Sequence, residues 1–217
     1  MIKAVIFDMD GLLIDSERVT FEEFQKMGRT RGFEMTEEFY CTLLGICLAE
    51  SKKMLKDKYG DKMFDVHDVH DNMVARYEKY GVPVKKGARE LLTMLRKDGI
   101  KCAVASSSDK DWVQKMMDFT GLGGYFEYFV CGNEVKKAKP APEIFLTACE
   151  KLGVEPKDAL VLEDAKSGIE AANNAKIPVI CVPDMVTPDE DHAKMTYKIM
   201  DSLLSVKTFL EENSYEL

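Results

Sequence analysis

The hydrophobic and polar positions of this chain follow two different periods, beginning with a short apolar run at residues 2–7. A run rich in valine and isoleucine is typical of a buried strand. From residue 16 to residue 80, apolar positions recur instead at three- and four-residue spacing, which is the period of an amphipathic helix. The helices predicted there are 16–31, 48–59 and 65–80.

Strands and helices alternate after Gly81-Val82-Pro83, which breaks the helical pattern. The later strands are predicted at 100–105, 128–131, 159–162 and 178–182. The helices among them are predicted at 87–98, 109–120, 142–152 and 166–175. Such alternation predicts an α/β fold with a Rossmann-like parallel sheet that helices cover on both faces.

The helical segment interrupts this sheet after its first strand, which predicts an inserted, all-helical cap domain. We expect the cap at residues 15–81 and a discontinuous α/β core domain at 1–14 and 82–217. The hinges between the two are expected near Leu13–Ser16 and Gly81–Pro83.

Composition and charge narrow the classes of partner. The net charge of −8 argues against nucleic acid and against anionic membranes, because both favour basic surfaces. No apolar stretch approaches the ~20 residues that span a bilayer, and the first residues form a strand, not a secretion signal. The six cysteines form no Cys-x-x-Cys pair, so we expect reduced thiols and a cytoplasmic location.

Two carboxylates close the first predicted strand, in the segment Asp8-Met9-Asp10-Gly11. Because side chains alternate along a strand, Asp8 and Asp10 point to one side and Met9 to the other. Gly11 lets the backbone turn sharply away. Ligands of open α/β sheets bind at the carboxyl ends of strands, so we assign the chemistry to this acid pair.

Three further features follow predicted strands. Ser106-Ser107-Ser108 offers hydroxyl and N–H groups that could bind phosphate oxygens, or only a cap for the next helix. The prolines next to Lys139 stiffen its loop, so Lys139 is either a fixed cation at the site or a solvated lysine in a basic run. Glu163-Asp164 either binds a hard cation through its carboxylate oxygens or is favoured there because a helix N-terminus attracts negative charge. Since parallel strands end at one edge, we expect all of them to share one crevice.

This order of motifs resembles the haloacid dehalogenase-like superfamily of phosphotransferases over nearly the whole chain. The residues that carry the resemblance are Asp8-x-Asp10-Gly11, Ser106, Lys139-Pro140 and Glu163-Asp164. A helical cap inserted after the first motif is similar to the subfamily that contains β-phosphoglucomutase and many small sugar-phosphate phosphatases.

The resemblance implies Mg²⁺-dependent phosphoryl transfer. A phosphate and a carboxylate about 4 Å apart repel by roughly 4 kcal/mol at an effective dielectric near 20, so a cation must lie between them. The implied ligands are the carboxylates of Asp8 and Asp164 and the main-chain carbonyl of Asp10, with Glu163 as a further ligand or as a partner of the ligands.

The resemblance also implies the catalytic roles. Asp8 would attack phosphorus and form an aspartyl-phosphate. Asp10 would protonate the leaving group and then deprotonate the water or sugar hydroxyl that resolves the intermediate. The implied phosphate contacts are Gly11, Ser106, Ser107 and Lys139.

The cap distinguishes a hydrolase from a mutase. β-Phosphoglucomutases carry a cap histidine where this chain has Thr20, and an arginine in a loop that here runs from Leu44 to Glu50 without a basic residue. We therefore expect a phosphatase for a small phosphorylated metabolite, with a sugar phosphate as the favoured class, acting as a monomer or weak dimer. A phosphosugar mutase that uses Lys52 or Lys53 is the alternative, and a phosphate-sensing module is a non-enzymatic one.

Overall fold

The structure is a computed structural model that describes residues 1–44, 48–63 and 65–216, and the chain divides into two units. One unit comprises Met1–Asp15 with Pro83–Leu217, and the other comprises Ser16–Val82. Each junction lies one residue from the boundary expected from the sequence, which was residues 15–81 for the inserted segment. Its action as a cap stays a prediction.

The inserted unit is built from helices. They are α1 (Ser16–Arg31), α2 (Glu37–Cys41), α3 (Leu48–Tyr59) and α4 (Val66–Tyr80). Helices α1 and α4 pack against each other, and Phe24, Met73 and Tyr77 are buried there. The hydroxyl of Thr20 donates to Ser16 O at 2.8 Å and lies 3.1 Å from Met73 Sδ. The short helix α2 is not predicted by the periodicity, because five residues are too few to display it.

The other unit contains a parallel sheet. Its described strands are β1 (Ala4–Phe7), β2 (Lys101–Ser106), β3 (Tyr128–Cys131), β4 (Ala159–Glu163), β5 (Val179–Cys181) and β6 (Lys198–Ile199). Their spatial order is β3-β2-β1-β4-β5-β6. Phe7 of β1 pairs with Val104 of β2 and with Leu162 of β4. The carboxyl ends of β1, β2 and β4 therefore lie side by side.

Helices cover both faces of this sheet, as the alternating pattern predicts. They are α5 (Ala88–Lys97), α6 (Lys110–Thr120), α7 (Glu143–Leu152), α8 (Lys166–Asn174), α9 (Glu190–Lys194) and α10 (Leu203–Glu212). Helices α7 and α8 pack on the face that presents Ala4 and Ile6. Val5 and Phe7 alternate to the opposite face, where α5 packs on β2 and α10 packs on α5.

The chain beyond residue 182 contains elements that the hydrophobic periodicity does not predict. Helix α9 begins at Glu190, because Asp189 acts as its N-cap and accepts a hydrogen bond from His192 N at 3.1 Å. The two-residue strand β6 is exposed and shows no apolar run that could predict it.

The described cysteines are free thiols at positions 41, 102, 131, 149 and 181, and Cys47 lies outside the described residues. Within the described ranges, no helix combines the length and the apolar character that crossing a membrane requires.

Candidate active site

The turn after β1 is formed by hydrogen bonds that depend on Gly11. The N–H groups of Leu13 and Ile14 both donate to Met9 O, and Gly11 N donates to Ile14 O at 2.9 Å. Gly11 has φ +82°, and a Cβ atom on it would lie 2.3 Å from Asp164 Oδ2. Only glycine suits both conditions. The Asp164 carboxylate therefore lies against the turn that follows Asp8, while the Gly11 N–H is engaged within the turn.

Lys139 joins the ends of the two central strands. Its Nζ lies 2.5 Å from Asp8 Oδ1, after β1, and 2.7 Å from Glu163 Oε1, at the end of β4. The Lys139 side chain is only 4% exposed, which rules out the alternative of a solvated lysine and agrees with the expected place of Lys139 at the shared crevice. We call Asp8, Lys139 and Glu163 the buried triad.

Glu163 is held from several sides at once. Its Oε2 accepts hydrogen bonds from Asp164 N at 2.8 Å and Ala165 N at 2.7 Å, while Oε1 faces Lys139. A Cβ atom on Gly168 would lie 1.7 Å from Oε1, so the start of α8 packs directly on this carboxylate. Both oxygens of Glu163 are thus engaged by the protein itself.

Burial and the neighbouring charges have opposing effects on the pKa values of Asp8 and Lys139. Burial raises the pKa of Asp8 to about 7. The positive charge of Lys139 lowers this pKa, but it does not outweigh burial and the repulsion by Glu163 and Asp10, which raise it. Burial also disfavours the charged form of Lys139, but Asp8 and Glu163 outweigh it and raise the pKa of Lys139. The lysine is therefore a permanent cation beside a carboxyl group that titrates near neutrality.

The serine loop after β2 contacts the second acid. Ser106 is buried, and its Oγ accepts a hydrogen bond from Ser108 N at 3.1 Å. Ser107 is exposed. Ser108 Oγ donates to Asp10 Oδ2 at 2.9 Å. Sequence reasoning noted this triplet but assigned phosphate contacts to Ser106 and Ser107, so it missed the direct contact from Ser108.

The donor set at this edge fits a hard cation such as Mg²⁺. The carboxyl groups of Asp8, Asp10, Glu163 and Asp164 outnumber the single ammonium of Lys139, and all are oxygen donors. Burial and the charges of Asp164 and Glu163 raise the pKa of the Cys181 thiol to about 12, which keeps this thiol protonated near neutral pH. Among the described residues, no three acidic, histidine or cysteine side chains already form a metal-binding group. The expected set needs only two carboxylates and a carbonyl.

Comparisons with known proteins agree with this geometry. A family model described as haloacid dehalogenase-like hydrolase matches residues 5–182. A phosphorylated carbohydrates phosphatase of Thermotoga maritima is 34% identical over 181 residues, which cover 81% of this chain and 82% of that protein. A phosphoglycolate phosphatase of Aquifex aeolicus is 32% identical over 181 residues, covering 80% and 81%.

Solved structures resemble the whole chain. The crystal structure of CbbY from Rhodobacter sphaeroides, in complex with phosphate, superposes with a TM-score of 0.78 at 26% identity. The likeness covers 95% of this chain and 96% of that one.

Proposed function

We propose that this chain, which belongs to the haloacid dehalogenase-like hydrolase family, is a Mg²⁺-dependent phosphatase that hydrolyses a small phosphorylated metabolite. A sugar phosphate is the favoured class of substrate, since one relative is named a phosphatase of phosphorylated carbohydrates. The free thiols at the five described cysteines agree with a reducing, cytoplasmic compartment. A monomer or weak dimer remains the expected assembly.

One observation carries the proposal: Asp8 is buried at the end of β1 with its Oδ1 2.5 Å from the ammonium of Lys139. A carboxylate can attack an anionic phosphate only if a fixed positive charge offsets their repulsion. Lys139 supplies that charge without reorganisation, because Glu163 holds it from the other side at 2.7 Å.

In the first step, an Asp8 oxygen forms a bond to phosphorus while the bond from phosphorus to the leaving oxygen breaks. Asp10 donates a proton to that oxygen, and the product alcohol departs. Lys139 offsets the negative charge on the transferring phosphoryl group. Ser106 and Ser107 are the proposed phosphate contacts from the loop after β2.

In the second step, Asp10 removes a proton from water, whose oxygen attacks the phosphorus of the aspartyl-phosphate. The bond from phosphorus to Asp8 breaks, and inorganic phosphate leaves with both carboxyl groups restored. Asp10 thus changes from acid to base, which requires that its side chain be held beside the reacting atoms throughout.

Mg²⁺ would be held by Asp8, Asp164 and the main-chain carbonyl of Asp10, and it would neutralise charge between the phosphate and the nucleophile. Glu163 supports these ligands indirectly, because both of its oxygens already accept hydrogen bonds from Lys139 and from the start of α8. Of the two roles left open by the sequence, we therefore favour the supporting one.

The features of the inserted unit favour hydrolysis over mutase chemistry. Thr20 stands where a mutase has a histidine, and its hydroxyl donates to the Ser16 carbonyl and contacts Met73 within the same unit. Lys52 and Lys53 are exposed on α3. Residues 45–47 of the loop compared with the mutase arginine loop lie outside the described residues, so that part of the comparison still rests on the sequence.

The test measures phosphate release from a panel of sugar phosphates in the presence of Mg²⁺. EDTA is then added, and afterwards Mg²⁺ is added in excess over the EDTA. We expect turnover that EDTA stops and Mg²⁺ restores. Asp8→Asn should lower kcat by at least about 10³-fold while the circular dichroism spectrum is retained. Near-normal turnover by this variant would contradict Asp8 as nucleophile.

Two controls sharpen the test. Asp158→Asn makes the same chemical change at the opposite edge of the sheet, where Asp158 pairs with Lys3, and should leave turnover unchanged. Incubation with β-glucose 1-phosphate separates the alternatives, since a phosphatase releases phosphate and a mutase forms glucose 6-phosphate. Binding of Mg²⁺ without any turnover would favour a phosphate-sensing module.

A further inference from the structure

We propose that Ser108 is a positioning residue for the acid–base step, holding one oxygen of Asp10 so that the other exchanges the proton with substrate and water. The inference rests on the proposed function, because it assigns Asp10 the acid–base role. It adds a residue to which the sequence motifs assign no part in that step.

The contact joins two loops that are distant in the sequence. Ser108 Oγ donates to Asp10 Oδ2 at 2.9 Å, and the two residues stand 98 positions apart. A serine hydroxyl has a single proton, so this bond commits it to Asp10. Because Oδ2 accepts this hydrogen bond, we assign the proton that is exchanged in the acid–base step to Oδ1.

The same hydrogen bond serves both states of Asp10. The oxygen at Oδ2 accepts from Ser108 when the group is a carboxylate, and as the carbonyl oxygen of an acid protonated at Oδ1 it accepts again. A lysine in this position would favour the charged form strongly and hinder proton donation. A neutral hydroxyl holds the orientation with less effect on the charge.

Ser108 is itself fixed by the ends of two strands. Its N–H donates to Ser106 Oγ at 3.1 Å, and its carbonyl accepts from Gly132 N at 2.9 Å. A Cβ atom on Gly132 would lie 2.1 Å from Ser107 O, so only glycine allows the segment after β3 to approach this closely. The serine hydroxyl is thus placed by backbone contacts on both sides.

The experiment compares kcat/KM for two leaving groups. A sugar phosphate releases an alkoxide that needs a proton, whereas p-nitrophenyl phosphate releases a stable phenolate that does not. Ser108→Ala should lower kcat/KM for the sugar phosphate by about 10- to 100-fold and change it little for p-nitrophenyl phosphate. Ser108→Thr, which keeps the hydroxyl, should recover most of the loss.

Ser205→Ala is the matched control, because Ser205, on helix α10 after the edge strand β6, also donates from its Oγ to an aspartate, Asp201, which lies just before that helix. Ser205→Ala should leave kcat/KM unchanged for both substrates. An equal loss on both substrates for Ser108→Ala, or no loss on either, would overturn the inference. Failure of the wild-type enzyme to hydrolyse any phosphate ester would instead refute the proposed function.

A second pair of variants tests the same placement without touching the hydroxyl. Gly132→Ala must displace the backbone at Ser107, which is also a proposed phosphate contact, so it should lower kcat/KM for both substrates and lower it further for the sugar phosphate. Gly124→Ala adds the same methyl group where no atom lies within 4 Å and should be silent. A Gly132→Ala enzyme with normal activity on sugar phosphates would contradict the positioning role.

Discussion

Two lysines at the carboxyl edge of the sheet each face two aspartate or glutamate side chains, yet their surroundings differ. Lys139 lies 2.5 Å and 2.7 Å from its partners in the buried triad, and its side chain is 4% exposed. Lys85 lies 2.5 Å from Asp184 but 3.7 Å from Asp15, and its side chain is 22% exposed. We call Lys85, Asp15 and Asp184 the junction triad.

The partners of the two lysines explain the difference. The buried triad joins the ends of β1 and β4 and includes Asp8, the proposed nucleophile. The junction triad joins the segments through which the chain leaves and re-enters the α/β unit: Asp15 N donates to Pro83 O at 2.9 Å, and Lys85 N donates to Leu13 O at 2.9 Å. Similar residue types therefore surround the proposed nucleophile in one place and join two chain segments in the other.

The largest expected effect separates the two lysines by activity. Lys139→Met removes the fixed cation beside Asp8 and should lower kcat/KM by about 10²–10³-fold. Lys85→Met, the matched change in the junction triad, should leave kcat/KM of the folded enzyme near the wild-type value. Steady-state kinetics on samples of equal helical content measure both, and equal losses would erase the functional distinction.

A smaller effect should appear in stability. Lys85→Met leaves the Asp184 side chain, which is 4% exposed, without its ion-pair partner. Among the described residues, Asp184 Oδ2 already lacks a hydrogen-bond partner. We expect the free energy of unfolding to fall by about 1–3 kcal/mol, as measured by urea denaturation.

The double variant Lys85→Met/Asp184→Leu decides the cause of that loss. Replacing both Lys85 and Asp184 with apolar side chains should recover most of the stability, since the buried Asp184 carboxylate is then no longer left without its ion-pair partner. If the loss of stability in the double variant equals the sum of the losses in the single variants, Lys85 and Asp184 do not stabilise each other.

The buried triad could be predicted from the sequence, whereas the junction triad could not. Asp8, Lys139 and Glu163 each stand in short motifs after predicted strands, and parallel topology brings such positions together. Lys85 and Asp184 are 99 positions apart and belong to no motif. Their pairing depends on the path of the loop after β5, which follows from tertiary packing.

The contact from Ser108 to Asp10, although it lies within the site, also could not be predicted from the sequence. The triplet of serines was visible in the sequence, but which hydroxyl reaches Asp10 depends on the backbone contact between Ser108 and Gly132. Likewise, the sequence could not choose between the two roles of Glu163, because the choice depends on two backbone N–H groups at the start of α8.

The smallest expected effect concerns the pH dependence of stability in EDTA. Burial raises the pKa of Asp8 from 3.8 to about 7, so the folded state binds a proton that the unfolded state has released between these values. The Asp8 contribution to stability is therefore present below pH 3.8 and lost as pH rises through about 7. Asp8→Asn does not titrate, so it should become progressively more stable than the wild type across this window.

Thermal unfolding of both proteins at several pH values between 4 and 8 measures this difference in Tm. Asp158→Asn is a control of opposite sign, because the hydrogen bond from Lys3 lowers the pKa of Asp158 and the wild type gains stability as that carboxyl ionises. The Asp158 effect should be slight, since the group is solvent-screened. A constant difference in Tm between wild type and Asp8→Asn would mean that Lys139 fully offsets the effect of burial on Asp8, and it would contradict the raised pKa of that carboxyl group.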